Sequence, residues 1–263
     1  MTHPHSPHGR GQHSPTTGRW QRVTFPSAGP DAVPLEGRVA GFADGARHPA
    51  VLLLHPNPAH GGTMDNKLLR AIADAVYPAG TGCLRYNSRG VGASGGAILV
   101  AAGSGAHAWV QGDAETRDVG AALDWLAAQP WVDPARIALA GFSFGSRIAL
   151  AYLAAAPAER RVRAVVAIGF PLAARDLSHL GWWPGPRLFI TGERDPFCPP
   201  DALAEFVATL PPPALRAVVR HVGHFLTGRE PAAGLLAATF LGPVLADESL
   251  TARAQGAQRT PDP

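Results

Sequence analysis

Lysine is almost missing from this chain: Lys67 stands alone among 23 basic residues, and the others are arginines. The charged fraction is 16%, below the quarter or so usual in soluble domains. The arginines are scattered, and their densest group, Arg160, Arg161 and Arg163, falls between a predicted helix and a predicted strand. A net charge of +3 spread in this way gives no reason to expect a nucleic-acid partner. Cysteine is scarce as well. Cys83 and Cys198 lie far apart in a chain large enough to need no staple, which predicts reduced thiols and a cytoplasmic setting. No apolar run is long enough to span a bilayer, and the first 19 residues hold no signal-peptide core, so no membrane partner is expected.

What the chain has in quantity is apolar material, 46% over 263 residues, enough for one large core. Residues 1–19 are rich in His, Pro, Ser and Gly, and 246–263 have a similar character; both are expected to be disordered tails around a single domain at 20–245. His3, His5, His8 and His13 have no carboxylate or thiolate beside them, so neither a metal site nor a cofactor is expected there.

Short β-branched runs alternate with segments of helical period. Strands are predicted at 22–25, 35–42, 51–54, 83–86, 137–140, 165–168, 188–191 and 217–219, and helices at 64–77, 113–129, 144–155, 201–210 and 230–241. Alternation from Val51 onward predicts parallel pairing through right-handed crossovers, with helices on both faces of a mostly parallel, eight-stranded sheet. Two strands with no helix between them suit an antiparallel start. Asp113 and Glu115 read as helix-start residues and Asp201 as an N-cap.

Within IALAGFSFGSRIAL, Gly141, Ser143 and Gly145 form GxSxG between a buried strand and an Ala-rich helix. A serine at so sharp a turn projects its hydroxyl at the carboxyl edge of the sheet, and the glycines let strand and helix approach without a Cβ clash. The hydroxyl becomes a nucleophile only when a base takes its proton. Downstream histidines are His179, His221 and His224; His224 is preferred because it leaves the last strand on a loop after Gly223, whereas His221 sits closer to the strand end. The orienting acid should follow the preceding strand. Asp195, fixed by Pro196, is preferred to Glu193. Oxyanion donors are expected from the amide of Phe144 and, in the loop HPNPAHGGTMDNK, from Asn57, which lies between two prolines that have no N–H. His55 and His60 match no zinc spacing.

The stretches LLLHPNPAHGGTMDNK, LRYNSRGVGASGG, IALAGFSFGSRIAL, TGERDPFCPP and GHFLTG, in this order, resemble the small lidless α/β-hydrolases related to dienelactone hydrolase and described as serine esterases. The likeness covers roughly residues 30–242 and implies an α/β-hydrolase fold with the same Ser143, Asp195, His224 assignment. The chain departs from its relatives in three places. Relatives commonly carry a second histidine where Asn57 stands here, the Gly-rich turn before Asp113 is longer, and dienelactone hydrolases use cysteine at the position of Ser143. The last argues against dienelactone as substrate.

Only GFPLAARDLSHLGWWPGPR separates two strands where this fold usually inserts a lid, so an open cleft with a minimal lid is expected, with Phe142, Phe170, Trp182, Trp183, Phe197 and Phe225 as candidate lining. The expected chemistry is hydrolysis of a small carboxylic ester or thioester through an acyl-serine. Acyl transfer with the same triad and a non-catalytic binding protein on the same fold are the alternatives, and either a monomer or a homodimer fits.

Overall fold

The most apolar runs of the sequence become the centre of one sheet. In a computed structural model, which describes residues 20–100, 112–156, 159, 161–172 and 183–247, the strands β3 (His48–Leu54), β5 (Val132–Phe142), β6 (Val162–Ile168) and β7 (Arg187–Gly192) are buried over most of their length. They are covered on both faces, as continuous apolar strands require. β1 (Gln21–Pro26) and β2 (Pro34–Ala40) alternate buried and exposed residues and pair antiparallel; β4 (Gly82–Tyr86) pairs antiparallel with β2 and parallel with β3. β8 (Ala214–Val219) closes the far edge, giving the order β1-β2-β4-β3-β5-β6-β7-β8.

Two apolar layers flank this sheet. One packs α2 (Asp113–Ala127), α3 (Phe144–Ala155) and α4 (Pro200–Ala208) against it, through Val119, Leu123, Leu126, Ile148, Leu153 and Leu203. The other packs α1 (Lys67–Val76) and α5 (Glu230–Ala246), through Leu69, Ile72, Val76, Ala233, Ala237 and Leu241. β3 has β4 on one side and β5 on the other. The connections leaving β3 and β5 therefore diverge, and a crevice opens above their carboxyl ends, where sheets of this kind take ligands.

Several boundaries differ from expectation for local reasons. α1 starts at Lys67 and not at Met64, because the Asn66 side chain accepts the Leu68 N–H and caps the helix there. α5 runs on through Pro243 to Ala246, since Leu241 and Leu245 are both buried and hold the final turn on the sheet. Asp201 is not an N-cap: Pro199 is, and Pro200 opens the helix with Asp201 in its first turn. Nor do the acids of α2 cap it. Gly112 is the N-cap, and Glu115 is buried beside Asp118, with its pKa raised chiefly by burial.

Cys83 and Cys198 are buried and form no disulfide. Among the described residues, no helix is long and apolar enough to cross a membrane. The His-rich segment 1–19 lies outside the described residues, as do 248–263.

Candidate active site

β5 ends at Phe142 and α3 begins at Phe144, so Ser143 is the one residue between strand and helix. Its φ of 52° and ψ of −112° are strained for a residue with a side chain, a cost on the order of 1–3 kcal/mol. The two glycines of the motif make the geometry feasible. A Cβ at position 145 would lie 2.1 Å from the carbonyl oxygen of Leu54, and one at 141 would lie 2.3 Å from the carbonyl carbon of Gly145. The turn is held by Ser143 N–H donating to Ile168 C=O at 2.7 Å and by Ser146 Oγ donating to Ser143 C=O at 2.6 Å.

Ser143 Oγ lies 3.0 Å from His224 Nε2, and His224 Nδ1 lies 2.9 Å from Asp195 Oδ2. A carboxylate beside Nδ1 accepts a hydrogen bond from Nδ1–H and keeps the proton there, which leaves the Nε2 lone pair facing the hydroxyl. Asp195 is buried, and its other oxygen accepts the N–H groups of Phe197 at 2.9 Å and Cys198 at 3.1 Å. The loops bearing acid and histidine touch backbone to backbone: a Cβ on Gly192 would meet Gly223 C=O at 2.4 Å, and Arg194 N–H donates to Val222 C=O at 2.9 Å. Glu193, the alternative acid, accepts the N–H of His221 at 2.8 Å; His221 itself is exposed. The imidazole of His224 is walled by Phe142, Phe197 and Phe225, with ring centroids at 5.1, 4.8 and 5.4 Å.

Above the hydroxyl is a pocket of about 240 Å³. The loop between β3 and α1 contributes Asn57, His60 and Asn66 to it, and the loops after β6, β7 and β8 contribute Pro171, Phe197 and Phe225. Both expected oxyanion donors, Asn57 and Phe144, line this pocket with Ser143 and His224. The Phe144 amide, first in α3, has no acceptor within its own helix.

The aromatic residues expected to line the cleft divide. Phe225 is 69% exposed and at the pocket wall, but Phe170 is fully buried against Phe189 and Phe206, and Trp183 is buried in the same layer, so both are core residues. Trp182 lies outside the described residues. Phe197 and Pro171 complete a wall that apolar composition alone does not separate from core. Among the described residues, no group of three or more His, Cys, Asp or Glu side chains is arranged to hold a metal ion.

Residues 115–230 match the family described as Alpha/beta hydrolase domain. An uncharacterized protein of Rickettsia prowazekii, RP471, is 31% identical over 176 residues, covering 67% of this chain and 68% of that protein. The chain belongs to the α/β-hydrolase family. Within that family it is similar to an α/β serine hydrolase homologue of Coxiella burnetii, at 27% identity and a TM-score of 0.68 over 82% of this chain and 96% of that one. It is also similar to a lidless α/β serine hydrolase of Xanthomonas campestris, at 26% identity and a TM-score of 0.65 over 94% of this chain and 99% of that one.

One buried residue of this α/β-hydrolase was not marked as functional by its sequence context. His55, directly after β3, donates from Nδ1 to Pro56 C=O at 2.7 Å and accepts the Ser88 N–H on Nε2 at 3.0 Å. Burial lowers its pKa from 6.5 to about 4, against a smaller raising effect of the bond to Pro56. The folded protein thus disfavours the charged form, while the unfolded chain takes up a proton below pH 6.5. Stability should therefore fall by about 3 kcal/mol between pH 6.5 and pH 4 on account of this group. Urea unfolding across that window measures the slope, and His55→Asn should flatten it.

Proposed function

We propose that this chain is a serine hydrolase that cleaves small, uncharged carboxylic esters or thioesters through an acyl-serine intermediate. The observation that carries the reading is the unbroken run from Ser143 Oγ to His224 at 3.0 Å and from His224 to Asp195 at 2.9 Å, on a hydroxyl that opens into a pocket. His224 Nε2 removes the hydroxyl proton as Oγ attacks the substrate carbonyl carbon, and Asp195 stabilises the imidazolium that forms. The negative charge on the former carbonyl oxygen is received by the amides of Phe144 and Asn57, each contributing about 3–4 kcal/mol. His224 then returns the proton to the departing alkoxide or thiolate. Water, deprotonated by the same imidazole, releases the acid.

The substrate class follows from the pocket wall. Among the described residues it carries no Asp, Glu, Lys or Arg, so a charged group would lose its water without gaining a partner. The exposed rings of Phe197 and Phe225 offer an acyl chain apolar contact at the mouth. Fluorophosphonate should label Ser143 stoichiometrically, located by peptide mass spectrometry. Labelling that persists in Ser143→Ala would place the nucleophile elsewhere and sink the reading.

A further inference from the structure

We infer that His55 is a positioning residue for the reaction: its ring holds the Pro56 carbonyl and thereby aims the amide of Asn57 into the oxyanion hole. The inference rests on the serine-hydrolase reading above. Pro56 C=O and Asn57 N–H belong to one peptide group, and that peptide is trans, so the two bonds point in opposite directions from a rigid plane. Fixing the carbonyl on one side fixes the N–H on the other. His55 is buried and is not part of the pocket wall, whereas Pro56 and Asn57 are. In this assignment the side of the peptide away from His55 is the side of the cleft.

Everything around this peptide removes its freedom to rotate. Gly62 presses on the Pro56 carbonyl so closely that a Cβ there would fall 2.0 Å from its oxygen. Asn57 C=O accepts the N–H groups of His60 at 3.1 Å and Gly62 at 3.0 Å, and the Asn57 side chain accepts the Ala59 N–H at 3.0 Å. The ring of His55 is anchored in turn. Its Nε2 accepts the Ser88 N–H, and the next residue, Arg89, grips Asp118 of α2 with two hydrogen bonds of 2.9 and 2.6 Å at a buried site. A carbonyl can only accept, so the bond to Pro56 requires the proton on Nδ1; a backbone N–H can only donate, so Ser88 requires Nε2 bare. The two partners together select one tautomer. A neutral imidazole in that form is the one state of His55 that makes both bonds, and a line of fixed groups then runs from α2 to the oxyanion amide.

Two substitutions separate aiming from simple support. Asn at 55 places an amide N–H near the position of Nδ1 and keeps a donor for Pro56 while giving up Ser88. Gln places its carbonyl near Nε2 and keeps the acceptor for Ser88 while giving up Pro56. Each loses one buried bond, so their melting temperatures should drop by similar amounts. With a p-nitrophenyl ester, His55→Gln should lose about 30- to 100-fold in kcat with KM within about twofold, because the oxyanion forms only in the transition state. His55→Asn should lose less than about fivefold in kcat. Equal losses in the two variants, or a loss seen in KM, would overturn the inference and leave the serine-hydrolase reading standing. Turnover that survives Ser143→Ala would instead remove the reading itself. Should neither variant fold, long-range ¹⁵N–¹H correlation on the histidine-labelled wild-type protein still decides. The inference requires Nδ1 protonated and Nε2 bare at His55, and the reverse tautomer overturns it.

Discussion

Asp195→Asn should lower kcat by about four orders of magnitude while leaving the fold intact. The geometry predicts the reason as well as the size. Asp195 Oδ1 accepts two backbone N–H groups, from Phe197 and Cys198. An asparagine here must put its carbonyl oxygen where those donors are, which turns its NH₂ toward His224 Nδ1. The imidazole then has to accept on Nδ1 and carry its proton on Nε2, facing Ser143 Oγ with an N–H in place of a lone pair. The base is present, in register and in the wrong tautomer. Steady-state hydrolysis of an activated ester measures the drop, and a melting temperature close to wild type accompanies it, since the asparagine has the same shape and keeps both backbone hydrogen bonds. A variant within tenfold of wild type would return attention to Glu193 as the acid.

Gly145→Ala should cost about 3 kcal/mol of stability or more, a fall of roughly 6–12 °C in Tm for a domain of this size, and abolish turnover in whatever fraction remains folded. In an ordinary helix the same change would be favourable by about 1 kcal/mol. Here the added methyl would stand 2.1 Å from the Leu54 carbonyl oxygen and 2.7 Å from that of His55, both backbone atoms of the neighbouring strand end. Neither can swing aside as a side chain could, so α3 must back away from β3. That displacement carries Ser143 with it and separates the Phe144 amide from Asn57. Thermal unfolding and ester turnover measured on one preparation test both effects, and an unchanged melting temperature would contradict the close approach.

The sheet was legible in the sequence because its inner strands are unbroken apolar runs that cannot be exposed anywhere. The parts that escaped are those where a polar residue is buried or a turn is stabilised by a side chain. β5 begins at Val132, ahead of the expected 137: Val132 pairs with His48 and Ile137 with Ala50, so the polar stretch 133–136 bulges out of that ladder, with Asp133 and Arg136 paired to each other. The convergence of Ser143, His224 and Asp195 was readable because strand ends and their following loops fix where such groups project. The pocket wall was not: Phe170 and Phe225 have the same side chain, and only the three-dimensional packing makes one core and the other cleft. His55 could be read as following a strand, but its two bonds depend on Ser88, a residue distant in sequence whose amide comes to meet it.

Among the described residues β8 is the last strand and the outermost on its side, with several exposed residues, while Ser143 follows β5, three places inward. Adjacent strands sit about 4.8 Å apart, so the connection after β8 must bring an imidazole back over roughly 14 Å of sheet to reach the hydroxyl. The candidate centre therefore depends on a connection that crosses from the rim of the sheet inward. A molecule whose border has frayed at β8 leaves the Ser143 hydroxyl without its imidazole.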